Sequence, residues 1–292
     1  MHKAFIKCLV HHFADDTNLL YSDSDPKKLK KIVNNELKFL VEWLRANRLS
    51  LNVGKTEFLI FRPPRKTLPF RITLRLENTK IFESTKIKYL GLILDTRLTW
   101  KPHINELSKK LSRAVGILYK IRSLSPKPIL LSLYHAIFHT HLTYGLPVWG
   151  FAKAYLLEKI ILLQKKALRI ITSADYHAPT APIRKETNIL SLTDQRYHLI
   201  SSLMWDLDHD LLPPTLSSQF NKCTTIHQQN TRHAEIGKFF PKKTRTTYHG
   251  TYCFQVQGTH IINGLKDLEI YNNSPSKETF LKHLKKSLIE NY

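Results

Sequence analysis

Two adjacent carboxylates, Asp15 and Asp16, stand between short apolar runs near the start of the chain, within the string Phe13-Ala14-Asp15-Asp16. Residues 1 to 12 read as a strand and Thr17-Asn18-Leu19-Leu20-Tyr21 as its hairpin partner, which puts both acids at the tip. Paired carboxylates at a tight turn can hold magnesium. This octahedral ion takes oxygens from several sources, so a further carboxylate has to come from elsewhere. Residues 1 to 14 contain no Asp or Glu. On residue type alone a solvated turn competes with the metal reading, because Asp favours turns anyway.

Three other constellations invite chemistry and fail on spacing. Gly54-Lys55-Thr56 has the end of a phosphate-binding loop, but that loop needs a glycine where this chain has Leu49. Asp206-Leu207-Asp208-His209-Asp210 begins like a calcium loop, yet the sixth position is Leu211 and the twelfth is Ser217, so a charged helix end is the better reading. His135, His139 and His141 fall close together on an expected helix with no Cys or acid at ligand spacing, which argues against a metal.

The elements that must position these residues follow from periodicity. Asp25-Pro26 caps a helix over 26–47, whose apolar face is Leu29, Ile32, Val33, Leu37, Leu40, Val41 and Leu44. Leu49–Val53 and Glu57–Phe61 read as short strands around Gly54, ended by Pro63-Pro64; Phe70–Leu76 alternates as a half-buried strand, and another spans Ile87–Leu94. From Pro102 the period becomes helical, with one stripe through Ile104, Leu107, Leu111, Ala114, Val115, Leu118 and Ile121. Further helices are expected over 127–142, 153–172, 192–210 and 277–290. Residues 214 to 250 lack periodicity and read as a loop or extended arm.

The chain has 292 residues, 42% of them hydrophobic and 10% aromatic, enough for one large or two ordinary folded domains. Net charge is +22, which points to a polyanionic partner, nucleic acid ahead of an acidic membrane surface. Residues 101 to 172 carry twelve Lys or Arg against Glu106 and Glu158 alone. Such a helical face suits phosphate contacts, although a merely solvated surface would look the same. Lys109, Lys110, Lys165, Lys166 and Arg169 lie largely off the apolar stripes and are the candidate nucleic-acid-binding residues. Three cysteines fit neither a disulfide framework nor a zinc motif, and no apolar run reaches membrane-spanning length, so an intracellular protein is expected.

Taken in order, several strings resemble the reverse transcriptase of non-LTR retrotransposons, most closely the jockey type. Phe13-Ala14-Asp15-Asp16 is similar to the family's aromatic-Ala-Asp-Asp turn of the palm. Trp43-Leu44-Arg45-Ala46-Asn47-Arg48-Leu49-Ser50-Leu51-Asn52 through Lys55-Thr56-Glu57 resembles the next palm motif. Tyr89-Leu90-Gly91 with Leu98-Thr99-Trp100-Lys101-Pro102-His103-Ile104 is similar to the primer-grip hairpin and the entry to the thumb. Tyr144-Gly145 with Val148-Trp149, and Leu163-Gln164-Lys165-Lys166-Ala167-Leu168-Arg169, resemble the helical region beyond. Ile262-Asn263-Gly264-Leu265-Lys266 departs from the family's Trp-Asn-x-Leu-Pro string at that place.

The resemblance implies an α+β chain: a partial palm of antiparallel hairpins and a helix over 1–100, a helical thumb over 101–212, and a C-terminal extension over 213–292. It implies RNA-directed DNA synthesis primed on a nicked target, with an RNA template and a DNA primer as partners. Asp15 would be a direct magnesium ligand, Asp16 its supporting acid, Lys55 the acid that protonates departing pyrophosphate, and Tyr89, Leu90 and Gly91 the grip on the primer end. In the family the fingers and the first palm aspartate precede this turn. The expectation is therefore a fragment unable to polymerise alone, with a non-catalytic nucleic-acid-binding protein as the alternative.

Overall fold

The computed structural model describes residues 8–62, 68, 70–76, 79–226, 236–244 and 250–292. Residues 1–7 of the first expected strand, the Pro63-Pro64 stop, and residues 227–235 and 245–249 of the expected arm lie outside the described residues. Two compact units divide the chain, Met1–Thr99 and Trp100–Tyr292.

In the first unit, β1 (Leu9–Phe13) and β2 (Asp16–Leu20) form an antiparallel hairpin in which Phe13 faces Asp16. Helix α1 (Pro26–Ala46) starts where the sequence places it: the Asp25 carboxylate accepts from the Lys27 amide at 2.9 Å, and Pro26 occupies the first turn. Its buried residues Val33, Leu37 and Leu40 meet Ile72, Leu74, Leu76 and Ile81, and Val10, Leu19 and Tyr21 of the hairpin pack on the same core. A small sheet of β3 (Glu57–Phe58), β4 (Leu74–Leu76) and β5 (Thr79–Glu83) runs in the order β3-β5-β4, with β3 parallel to β5. A last hairpin joins β6 (Lys86–Tyr89) to β7 (Leu92–Asp95).

Three strand expectations are corrected here. Leu49–Val53 forms no strand, because the Asn52 side chain accepts from the Lys55 amide at 3.2 Å and stabilises a 3-10 turn at Val53–Lys55. The strand expected from Phe70 begins at Leu74. Ahead of it the Asn34 amide donates to the Thr73 carbonyl at 3.3 Å, and its oxygen accepts from the Arg75 amide at 3.0 Å, so a helix side chain takes the place of a neighbouring strand. Ile87–Leu94 is a hairpin rather than one strand, reversed at Leu90 and Gly91, whose φ angles are +44° and +79°. Two positive φ values are what a two-residue type I′ turn requires.

The second unit is helical. Helix α2 (Lys101–Ile121) buries Ile104, Leu107, Leu111, Ala114, Val115 and Leu118, the expected stripe. It packs along α6 (Ala154–Ile171), which lies beyond α3 (Lys127–Leu133), a π-helical segment Tyr134–His139, α4 (Thr140–Thr143) and α5 (Leu146–Trp149). Then follow α7 (Thr180–Thr187) and α8 (Leu192–Asp208), the latter capped by the Ser191 hydroxyl. Short helices α9 (Pro214–Ser217) and α10 (Cys223–Ile226) interrupt the stretch expected to be an arm. After them come α11 (Phe254–Leu265), α12 (Glu269–Asn272) and α13 (Lys277–Glu290). No described helix is long and apolar enough to cross a membrane.

Residues on both sides of position 213 share one core: Ile200, Met204, Trp205 and Leu207 of α8 pack with Phe220, Phe239, Ile262, Leu265, Tyr271, Phe280 and Leu284. Helix α11 carries two glycines and has weak intrinsic propensity, which hid it in the sequence. Gly258 is required where it sits, since a Cβ there would lie 2.7 Å from Met204 Sδ. The charged helix end is as expected: Asp208 accepts from Lys266 Nζ at 2.7 Å and from the Tyr271 hydroxyl at 2.8 Å.

Candidate functional site

Asp15 lies in the two-residue turn of the first hairpin and Asp16 opens β2; both are exposed. Ala14 turns the chain with φ of +52°. A left-handed alanine costs on the order of 1–2 kcal/mol, and glycine would relieve it, so the tip holds its acids in a conformation that stability alone does not select. Strand alternation fixes the two faces. Val10, His12, Thr17 and Leu19 face one way, with His12 Nδ1 at 3.1 Å from Thr17 Oγ1, and Val10 and Leu19 reach the core. Leu9, Phe13, Asp16 and Leu20 face the other way, where the first two are 62% exposed and Leu20 48%. Asp16 therefore stands on a largely exposed face that also carries His11 and Asn18.

Among the described residues no group of three or more His, Cys, Asp or Glu side chains could hold a metal. The pair Asp15 and Asp16 does not by itself fit a two-ion site, which needs at least one further carboxylate. Lys55 ends the 3-10 turn with an exposed side chain. Tyr89 closes β6, and Leu90 and Gly91 form the second reversed tip; Tyr89 and Leu90 are half-buried. All of these residues belong to the first unit.

The basic candidates belong to the second unit and divide by environment. Lys109 and Lys110 are exposed on α2, and Lys109 pairs with Glu106 at 2.7 Å. Arg113, Gly116 and Lys120 continue the line of Lys109 at helical spacing on the side of α2 away from its buried stripe. On α6, Lys166 is exposed and Lys165 half-buried, while Arg169 Nε donates to the Ala178 carbonyl at 3.0 Å. Arg169 thus spends part of its donor set inside the protein.

Several strings that resemble the family turn out to be structural. Trp149 is fully buried and donates Nε1–H to the Tyr144 carbonyl at 2.8 Å; the His103 ring lies against it at 5.7 Å between centroids. Burial first, and the Lys110 charge second, hold His103 down to about 4. Gln164, fully buried on α6, donates to the Tyr134 hydroxyl at 3.1 Å and the Leu190 carbonyl at 3.0 Å, and accepts from Arg184 Nη2 at 3.1 Å. Burial pushes the Tyr134 phenol up to about 12 and lowers Arg184. Asn263 clamps the Phe239 backbone with a pair of hydrogen bonds, both 2.8 Å. The sequence missed a cluster of His135, His139, His198 and Lys285. It comes from three segments far apart in the chain, so no spacing could signal it.

The chain is similar to three transposon polymerases of Drosophila melanogaster. One is a probable RNA-directed DNA polymerase from transposon X-element, 25% identical over 201 residues, 66% of this chain and 22% of that protein. Another is the probable RNA-directed DNA polymerase from transposon BS, 28% identical over 197 residues, 65% of this chain and 21% of the relative. The third is the RNA-directed DNA polymerase from mobile element jockey, 26% identical over 200 residues, 67% of this chain and 21% of the relative. The chain spans about a fifth of the length of the curated relatives it matches. No family model matches, and no solved structure does.

These relatives are RNA-directed DNA polymerases of mobile elements, and this chain is similar to one part of them. Among them is the polymerase of the jockey element itself, in keeping with the resemblance to jockey-type reverse transcriptases of non-LTR retrotransposons.

Proposed function

We propose that this chain is the end of the palm, the thumb and the C-terminal extension of a reverse transcriptase that copies RNA into DNA during retrotransposition. The observation that carries the reading is the Asp15-Asp16 pair, exposed on a turn that Ala14 holds at positive φ, in a chain similar to RNA-directed DNA polymerases. Asp15 is the direct ligand in this reading and Asp16 its support. The ion is magnesium, held only when a further carboxylate completes the set. Lys55 is the proton donor to pyrophosphate. Tyr89, Leu90 and Gly91 hold the primer end, with Gly91 allowing close backbone approach. RNA template and DNA primer are the partners, bound through the basic sides of α2 and α6.

A second reading, a non-catalytic nucleic-acid-binding protein, is favoured by a specific observation: the exposed cations of α2 and α6 need no carboxylate set to bind phosphate. Both readings require that binding. The test is a salt titration of an RNA–DNA duplex with Lys109, Lys110, Lys165, Lys166 and Arg169 changed to Ala in a variant that stays folded. The log–log slope should shrink by roughly one for each phosphate that is no longer neutralised. Arg169 should contribute least, because its Nε is already committed to Ala178. An unchanged slope would mean that these faces serve solubility alone. Primer extension by the intact polymerase that contains this chain, with and without Asp15→Asn, then separates the two readings.

A further inference from the structure

Three segments bring polar groups to one place in the second unit. The π-helical segment supplies His135 and His139, four residues apart, with ring centroids 5.2 Å apart in an edge-to-face arrangement. Single π turns inside α-helices recur at functional sites. Helix α8 supplies Gln195 and His198, one turn apart: Gln195 Oε1 lies 3.4 Å from His139 Nε2. Helix α13 supplies Leu281 and Lys285, one turn apart. His198 Nε2–H donates to the Leu281 carbonyl at 3.1 Å. His135 is exposed and the other three cationic groups are half-buried, so the cluster opens to solvent.

Among the described residues no carboxylate balances this charge. Burial first, and then the Lys285 ammonium, hold His135 below its usual range. His139 and His198 are also lowered chiefly by burial, and Lys285 lowers both further. Burial lowers Lys285 itself. The neighbouring charges are engaged elsewhere. Asp194 of α8 accepts from Ser191 Oγ at 2.5 Å and from the Tyr292 hydroxyl, Arg184 of α7 is held by Gln164, and Lys127 of α3 pairs with Glu186. Lys110 and Arg113 of α2, His141 of α4, and Lys282, His283 and Lys286 of α13 are exposed and add only positive charge or further imidazole.

We propose that His135, His139, His198 and Lys285 form a phosphate-binding site that takes up protons as it fills. Three imidazoles beside an ammonium are kept neutral chiefly by burial, to which the positive charge of Lys285 adds. A phosphate among them reverses the sign of the local field, so each imidazole gains a proton and becomes a charge-assisted donor. Phosphate suits the cluster because its tetrahedral oxygens can accept from donors that come from three different segments. The source is either a nucleic-acid backbone or a free phosphate. The site stands whether or not the chain serves a polymerase.

The test is calorimetric titration of the chain with inorganic phosphate at about pH 5.5 and about pH 8, each in two buffers of different ionisation heat. Binding at one site, roughly tenfold or more tighter at the acid pH and with net proton uptake, is expected. His135→Gln, at an exposed position, should reduce the uptake, and Lys285→Gln should weaken binding at both pH values. The same measurements with an RNA–DNA duplex identify the source. A pH dependence that inorganic phosphate competes away assigns the site to backbone phosphates, and one seen with inorganic phosphate alone assigns it to free phosphate. Affinity that ignores pH in both arms, or proton uptake that survives both substitutions, would overturn the proposal. The variant with Lys109, Lys110, Lys165, Lys166 and Arg169 changed to Ala should keep the proton-linked binding of inorganic phosphate, so this site and the duplex-binding face can fail separately.

Discussion

The hairpin tips of the first unit and the helical core of the second carry strings similar to the same polymerases, yet they hold them for opposite physical reasons. In the core, Trp149, Gln164 and His103 are buried among neighbours that Trp149 and Gln164 engage by hydrogen bonds, so changing them breaks packing. At the tips, Asp15 and Asp16 are exposed, and the turn residues Ala14 and Leu90 adopt a backbone that their side chains disfavour. The strings in the core stabilise the fold. Those at the tips cost stability, and therefore point to chemistry.

The contrast is sharpened first at Gln164, where the largest stability effect is expected. Gln164→Leu removes the acceptor of a buried arginine whose Nη1 already has no hydrogen-bond partner. Leaving that buried guanidinium without its amide acceptor should cost about 3 kcal/mol in chemical denaturation. A loss under about 1 kcal/mol would mean that Arg184 finds another partner and that the network is not structural.

The next effect is pH-dependent and belongs to His103. Its folded value of about 4 lies below the ordinary 6.5, so the native state binds this proton less readily than the unfolded chain does. The resulting stability is complete above pH 6.5, is lost as pH falls towards 4, and amounts to at most about 3 kcal/mol. Unfolding midpoints measured across that window should fall with acid, and His103→Phe should flatten the fall. A profile that is unchanged in the variant would remove His103 from the account.

At the tips the expected effects are smaller and of opposite sign. Ala14→Gly should change stability by less than about 1 kcal/mol, in the stabilising direction, because relief of the left-handed strain outweighs the entropy of glycine. Destabilisation by more than that would show that the alanine methyl is packed, and the contrast with the core would fail at this residue.

How much of this was legible beforehand follows the same division. The stripe of α2 and the Asp25 cap of α1 were readable because each depends on residues close in sequence. The Asn52 turn and the Asn34 contacts with Thr73 and Arg75 were not, because a side chain there competes with strand pairing and periodicity is silent on that competition. Helix α11 was hidden by its glycines, one of which is needed for contact with Met204 in α8. The acids at 15 and 16 could be placed on a tip from spacing alone, but the strain at Ala14 could not. Nor could the partners of Gln164 be read, which lie up to 30 residues away, or the joining of His198 and Lys285 to His135 and His139.

The most direct test of the central claim is Asp15→Asn in the intact polymerase, with primer extension on an RNA template and thermal unfolding measured on the same preparation. Loss of a metal ligand should lower incorporation by several orders of magnitude, on the order of a thousandfold or more, while the unfolding midpoint stays within error of the parent. Near-normal incorporation, or a loss accompanied by a matching fall in stability, would contradict the account and return Asp15 to the status of an ordinary turn residue.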